Sequence, residues 1–324
     1  MIQGLYFTAL FILFSLLAKA QVMDNMASYR DINSNKFIRL FYDNDFFSGT
    51  DEYYTQGSSM ELVLPALQKF PSSKLLLSLP GSEKKYGIAL EHIGYTPSSI
   101  SHPEILRGDR PFAAYAFLKT FAVATDPAHG RRLSSALAVG IIGPYAFGEN
   151  VQRSIHRWLG DTKPLGWANQ IQTDLILNYE AAYEEEIYAC RNLFSLNGGA
   201  AIRAGTLNDK ATGQLTFMIG RLNMQNIASS GKESFTKNNF VLYLYGQPQV
   251  HFIAYDATLQ GGMFNKSVYT LSASELTRLT FQSNFGVVMN IKKLYFEYAH
   301  TLLTKEFESG KFHSWGGVRF GVSL

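Results

Sequence analysis

Apolar and polar residues alternate along most of this chain, and past residue 20 no apolar run approaches the ~20 residues that a membrane-spanning helix needs. From Phe240 to Phe252 the even positions carry Phe240, Leu242, Leu244, Gly246, Pro248, Val250 and Phe252. The odd positions carry Tyr243, Tyr245, Gln247, Gln249 and His251. From Thr277 to Met289 the odd positions are again apolar, with Leu279, Phe281, Phe285, Val287 and Met289, while Arg278, Thr280, Gln282 and Asn284 sit between them. The last segment repeats the pattern, with Val318, Phe320 and Val322 set against Arg319 and Ser323. Successive side chains of a strand point to opposite faces, so each such segment has one dry face and one wet face.

The alternation predicts strands over 36–46, 53–64, 85–94, 111–124, 132–142, 170–182, 193–205, 211–222, 239–254, 276–291, 293–303 and 312–324. That is about 12 strands, an even number, as a closed bacterial barrel requires. A soluble sandwich would also alternate. Several of these segments exceed the ~9 residues that a tilted membrane strand needs, and polar residues recur in mid-strand, which suits a wet lumen. The fold class is therefore all-β: a transmembrane antiparallel barrel with a short extracellular helix. Residues 65–84, 95–110 and 143–169 interrupt the rhythm and read as loops, and long barrel loops face outward and carry function. Within the third, Glu149 to Leu159 reads as a helix, ended by Pro164 and Gly166.

The first 20 residues read as a signal peptide, with an apolar stretch from Leu5 to Leu17 and the small-x-small site Ala18-Lys19-Ala20. Residues 21–324 then form one exported barrel domain, located in the bacterial outer membrane. The balance of 29 basic against 26 acidic residues excludes the clustered basic charge of a nucleic-acid binder. Aromatic residues make up 14 % of the chain, a level that a soluble enzyme can reach and that an aromatic-girdled membrane barrel reaches routinely. The single cysteine, Cys190, excludes an internal disulfide and reads as a packed residue, since no catalytic motif surrounds it.

Three segments could carry chemistry. On the predicted helix, Gln152 and His156 are four apart and share one face. A histidine that exchanges a proton near neutral pH is the usual general base, and Gln152 could orient its ring or a water. In the first strand, Asp43, Asn44 and Asp45 supply hard oxygen ligands, which suit Ca²⁺ better than a transition metal. Thr55 and Gln56, on the next strand of that hairpin, come close to Asn44 and Asp45. Finally, Arg107-Gly-Asp-Arg110 could bind a phosphate through its two arginines, or Asp109 could pair with one of them and only fix the loop. No Gly-x-Ser-x-Gly elbow is present, which disfavours a soluble-hydrolase serine mechanism.

The order of these pieces resembles a known family. Asn44-Asp45, Tyr54-Thr55-Gln56-Gly57, Tyr95-Thr96-Pro97, Gly108-Asp109-Arg110-Pro111-Phe112, Gly143-Pro144, Gln152…His156 and Gly166-Trp167-Ala168-Asn169-Gln170 together resemble the LpxR-type lipid A 3′-O-deacylases of Gram-negative outer membranes. The resemblance runs from about residue 36 to the C-terminus and is dense in motifs as far as about residue 180. It implies a Ca²⁺-dependent esterase that removes the 3′-linked acyloxyacyl chain of lipid A at the outer leaflet and works as a monomer. It implies His156 as catalytic base, Gln152, Asn44 and Thr55 as its partners at the reacting ester, and Asp45 near the metal. A family lysine after the Tyr-x-Pro motif has no counterpart: Ser99, Ile100, Ser101 and His102 stand in that loop. Arg107 and Arg110 are the candidates to grip the substrate in its place. Two rival readings are a calcium-dependent phospholipase, for which the sequence presents no serine beside a histidine, and a non-enzymatic barrel.

Overall fold

A computed structural model describes residues 24–49, 52–222 and 240–324. The expected signal peptide lies outside the described residues. The strands are β1 (Phe37–Asn44), β2 (Tyr53–Val63), β3 (Glu83–Thr96), β4 (Ala113–Asp126), β5 (Arg131–Ile142), β6 (Asp174–Cys190), β7 (Phe194–Gly205), β8 (Asn208–Arg221), β9 (Phe240–Asp256), β10 (Leu279–Ile291), β11 (Leu294–Leu303) and β12 (His313–Ser323). They form a closed barrel in which each pairs antiparallel with its sequence neighbours and β1 meets β12. The helix α1 (Gly148–Leu159) lies between β5 and β6.

Which face is dry separates a membrane barrel from a soluble sandwich. Leu40, Met60, Leu90, Leu118, Val139 and Leu177 stand opposite one another on six successive strands. All six point outward and are 49–55 % exposed. Burying such a side chain is worth about 1.5–3 kcal/mol, so a belt of them facing water would be untenable, and hydrocarbon is the solvent that suits it. No helix among the described residues is long and apolar enough to cross a membrane. The crossing is made by strands, which closure leaves without an unpaired edge.

The inward face is charged and paired. Arg39 bonds Glu61 at 2.9 Å, Arg319 bonds Asp43 at 2.7 Å, and Lys119 bonds Glu91. The chain before β1 completes this interior. Residues 25–30 are all buried, as is Ile32. Arg30 bonds Glu297 of β11 at 3.0 Å, and Asp31 receives Arg132 of β5 at 2.8 Å. Tyr29 stacks on Tyr245 at 3.9 Å between centroids, while its carbonyl accepts from Tyr243. Asn25 donates to Ser59 of β2, and Ser28 to Glu184 of β6. The segment is thus tied to strands on every side of the lumen. Two cavities inside, among the described residues, are small, about 40 Å³ beside Asp24, Arg203 and His251 and about 20 Å³ beside Lys119 and Asn178. Each has room for little more than ordered water.

Two expectations are corrected. The loop after β2 does not join the functional end. It folds at the end where the termini lie and rests on the outer wall, where Leu77 N donates to Ser135 and Tyr179 donates to the Leu75 carbonyl. Its prolines start two short 3₁₀ turns, Pro65–Lys69 and Pro71–Leu75, which keep it close to the barrel. Cys190 is exposed rather than packed, because it ends β6 at the base of the barrel, opposite Phe194 in the β6–β7 hairpin.

The filled lumen leads to an electrical test. In planar bilayers the intact barrel is expected to pass no resolvable ion current, whereas a variant lacking residues 24–35 should show discrete conductance steps. A silent deletion variant would mean that the wall's side chains seal the lumen unaided.

Candidate functional site

The helix α1 is built to lie flat on a wall. Gly148, Gln152 and His156 are buried and recur every four residues, so they form one face. Glu149 and Arg153 make a half-buried ion pair at 2.8 Å on another. The helix stops at Gly160, whose left-handed φ of 71° suits glycine. Gly148 is required by close approach: a Cβ there would lie 2.3 Å from that of Ala114 and 2.8 Å from the Trp167 ring. Ala114 belongs to the outward face of β4, so α1 docks on the outside of the barrel. Ile100, Phe112, Ala114, Ala146 and Trp167 pack together beneath it. His92, outward on β3, holds the preceding turn by donating from Nε2 to the Ala146 carbonyl at 2.9 Å.

Neighbouring groups fix the site side chains on the helix. The Gln152 Oε1 accepts from Trp167 Nε1 at 2.7 Å. Its Nε2 is buried and has no hydrogen-bond partner in the protein. The Nδ1 of His156 bonds the Thr162 carbonyl at 2.6 Å. A carbonyl only accepts, so Nδ1 carries the proton and the lone pair of the neutral ring lies on Nε2.

The wall beside the helix supplies the remaining candidates. Asn44, Gln56, Gly94 and Ala114 are cross-strand partners in one row over β1, β2, β3 and β4. Asn44 therefore lies opposite Gln56, as the hairpin reading anticipates, and shares an outer-wall level with the helix. Its Oδ1 accepts from Phe46 N at 2.8 Å, and its Nδ2 donates to Tyr42 at 3.2 Å. Thr55 sits at a bulge between β2 and β3 and shares a 2.7 Å hydroxyl–hydroxyl bond with Thr96. Asp45 opens a short 3₁₀ turn, is 2 % exposed, and accepts from Glu52 N at 2.7 Å.

Three sequence expectations change. Asp43 leaves the candidate oxygen cluster, because alternation turns it into the lumen against Arg319 while Asn44 faces out. Arg110 is not available to a substrate. Its guanidinium is fully buried, lies 4.1 Å from the centre of the Tyr95 ring, bonds Thr258 at 2.6 Å and pairs with Glu306. Burial pushes the Glu306 carboxyl above its usual range, against the pull of Arg110. Asp109 does fix the loop, but by accepting from the backbone N–H groups of Ser98 at 2.9 Å and Arg110 at 2.7 Å rather than from an arginine guanidinium. Arg107 is exposed. Third, a serine does face a histidine: Ser58 and His92 are cross-strand partners on the outer wall, although no hydrogen bond joins them. Spacing along one strand could not show that pairing.

Sequence reasoning also passed over the roles of Trp167, Thr162 and Thr96, which hold Gln152, His156 and Thr55 respectively. The conspicuous Gly166-Trp167 and Tyr95-Thr96-Pro97 segments were the available signals for the first and last.

Comparison with known proteins agrees with the barrel fold. A family model described as outer membrane protein LpxR matches residues 6–324. The chain belongs to the LpxR family. The solved structure of LpxR from Salmonella typhimurium superposes with a TM-score of 0.72 at 17 % identity, covering 89 % of this chain and 100 % of that one. The LpxR-like barrel is an outer-membrane fold with few helices. Looser likenesses are the β domain of the Bordetella autotransporter BrkA, at TM-score 0.45 and 10 % identity over 90 % of this chain and 100 % of that one, and the translocator domain of NalP from Neisseria meningitidis, at 0.42 and 8 % over 91 % and 90 %. No curated protein sequence matches.

The buried Arg110–Glu306 pair separates support from substrate binding. Removing one partner leaves a buried charge uncompensated, at a cost of about 3–5 kcal/mol. Arg110→Met is expected to lower the thermal unfolding midpoint markedly, and Arg110→Met with Glu306→Leu to recover most of it. If the single variant melts like the parent protein while substrate affinity falls, the arginine acts on substrate after all.

Proposed function

We propose that this LpxR-family barrel is an esterase that hydrolyses the 3′-O-linked acyloxyacyl chain of lipid A. The observation that carries the reading is the hydrogen bond from His156 to the Thr162 carbonyl, on a helix docked outside a lipid-facing wall. It leaves the basic nitrogen of the ring at Nε2, where a general base must have it.

Ester hydrolysis needs an activated water and a stabilised oxyanion. In this reading His156 Nε2 takes a proton from water as the water attacks the ester carbonyl. The proton then passes to the departing sugar oxygen. The Gln152 amide, held by Trp167, has N–H groups to orient that water. Asn44 and Thr55 hydrogen-bond the ester from the wall side. Arg107, exposed on the neighbouring loop, is the candidate partner for a lipid A phosphate.

The metal of this reading is Ca²⁺. Among the described residues no three His, Cys, Asp or Glu side chains cluster as a cage. Around Asp45 the run Asn44-Asp45-Phe46-Phe47-Ser48-Gly49 offers only oxygen donors: a carboxylate, an amide, a hydroxyl and carbonyls. That donor set fits a hard cation that accepts backbone and amide oxygens, with Asp45 as the charged ligand. When bound, the ion supplies positive charge that stabilises the oxyanion.

The exposed apolar residues around the site fit a lipid substrate. Phe46 and Phe47 rim it on the β1 side, Phe147 and Trp158 on the helix side. The chain would sit in the outer membrane with this end extracellular, so that lipid A enters sideways. The phospholipase reading has Ser58 and His92 in its favour, but His92 is committed through Nε2 to the helix turn and makes no bond to the serine.

Two measurements test the reading. In cells making the protein, the mass spectrum of lipid A should lose the 3′ acyloxyacyl group. His156→Ala should restore the intact species, a fall in rate of about 10²–10⁴. Full loss of that chain in the variant would remove His156 from the chemistry. With purified protein, a calcium chelator should abolish release and added Ca²⁺ should restore it. Activity that persists in chelator would rule out the cation.

A further inference from the structure

At the end where the termini lie, the turns described in full are short: residues 127–130 between β4 and β5, 191–193 between β6 and β7, and 292–293 between β10 and β11. Short turns mark the periplasmic end of an outer-membrane barrel. The connection from β2 to β3 lies at the same end and runs over residues 64–82. It is long where its neighbours are tight, and the wall beneath it is shaped to receive it.

Ala122, Ser135 and Ala181 are cross-strand partners on β4, β5 and β6. They share the outward face with Leu118, Val139 and Leu177 and lie about 13 Å along the strands from them, toward the termini. Leu118 and Val139 stand open to lipid, whereas Ala122 is 2 % and Ser135 0 % exposed. The small side chains leave a recess, and the β2–β3 connection fills it as a strap. Its second 3₁₀ turn packs on β4, and the Leu77–Ser135 and Tyr179–Leu75 bonds carry it on to β5 and β6. Every third amide is bonded within the strap: Leu67 N donates to the Leu64 carbonyl, Phe70 N to Leu67, Ser73 N to Phe70 and Leu76 N to Ser73. Pro65 and Pro71 have no N–H to leave unpaired. Such a segment can enter a membrane interface, where unpaired backbone groups are costly.

The side of the strap turned away from the wall carries two kinds of group. Phe70, Leu75 and Leu77 are exposed large apolar residues. Lys69 ends the first turn and Lys74 lies in the second. Both lysines are exposed, and neither has an ion-pair partner among the described residues. The one acidic residue in 64–85 is Glu83. Lysine stems lie along apolar surface while their ammonium groups stay among polar head groups, so both kinds of residue can be satisfied at one lipid boundary.

We infer that this strap is a binding site for anionic phospholipid of the periplasmic leaflet, in which Lys69 and Lys74 hold the head-group phosphate and Phe70, Leu75 and Leu77 lie along the acyl chains. A zwitterionic phospholipid brings the same phosphate, but its own ammonium offsets the charge. Two unpaired cations therefore favour the lipid with a net negative charge. The inference rests on the outer-membrane barrel and is independent of the deacylase reading, since the strap lies at the opposite end from α1.

The test gives the full-length protein, purified in neutral detergent, equal amounts of phosphatidylglycerol and phosphatidylethanolamine with matched acyl chains. Native mass spectrometry then counts the lipids retained. The wild-type protein is expected to retain phosphatidylglycerol preferentially. Lys69→Gln with Lys74→Gln should reduce that preference by about 5-fold for each lysine removed, and Lys69→Arg with Lys74→Arg should keep it. Lys292→Gln with Lys293→Gln removes the same charge from another turn at this end and should also keep it. All four lysines are exposed, so these replacements leave the fold intact. A wild-type protein without the preference, or a Lys69→Gln, Lys74→Gln variant that retains it, would overturn the site. An equal loss in the Lys292→Gln, Lys293→Gln variant would overturn it too, because basic charge anywhere on the rim would then suffice.

Discussion

In hydrocarbon a backbone N–H or C=O without a partner has no water to turn to, so the last strand of this chain must find the first. The pairing of β1 with β12, from Phe37 opposite Ser323 to Asn44 opposite Gly316, meets that demand, and much else depends on it. Once the sheet closes, alternation has only two destinations. Leucines such as Leu40 and Leu90 go out to lipid, and Arg39, Glu61, Glu297 and Arg319 go in. Buried charges are tolerated only as pairs, and for Glu297 and Arg132 the wall supplies ionic partners only at long range, Arg319 at 3.9 Å and Glu184 at 3.6 Å. Arg30 and Asp31, from the segment before β1, supply partners for Glu297 and Arg132. The lumen is then full, and any chemistry must be done on the outer surface.

An outer surface in lipid is a poor setting for hydrolysis unless something polar is held against it. Here the small residues Ala114 and Gly148 let α1 approach the wall at the upper rim. The helix brings Gln152 and His156 with it, the first held by Trp167 and the second by the Thr162 carbonyl. The wall grades from leucine through Tyr42, Ser58 and His92 to Asn44 and Gln56 as it rises. An amphiphile oriented by the membrane meets that gradient with its chains below and its head groups above.

The barrel was legible in the sequence because its determinant is local: a period of two is visible in any segment such as Phe240–Phe252. The helix with Gln152 and His156 was legible for the same reason, through its spacing of four. What escaped were the pairings between distant parts of the chain. Nothing near Arg110 in sequence announces that Glu306 and Thr258 enclose it, so its capacity to bind an anion looked intact. Residues 24–32 are short and polar and read as the start of an exported chain; their burial depends on charges contributed by β5, β6 and β11. Ser58 and His92 are far apart along the chain and adjacent only through register. Asp43-Asn44-Asp45 misled in the opposite way, since three neighbouring oxygen donors on a strand cannot all share one face.

The β2 bulge shows how an exception to the alternation can serve the site. Tyr54 stacks on Trp315 at 4.5 Å and is inside the barrel. Gln56, only two positions on, faces outward opposite Gly94 and Asn44. In an unbroken strand two residues so spaced must share a face, so the chain can satisfy both only by inserting an extra residue. Thr55 is that residue. Its hydroxyl reaches Thr96, which faces outward on β3, and so joins the outer-wall group rather than the lumen. A straight strand would have given up either the aromatic packing that closes the barrel's mouth or the hydroxyl beside Asn44. The bulge keeps both, which is why a departure from the fold's governing period lies at the level where α1 docks.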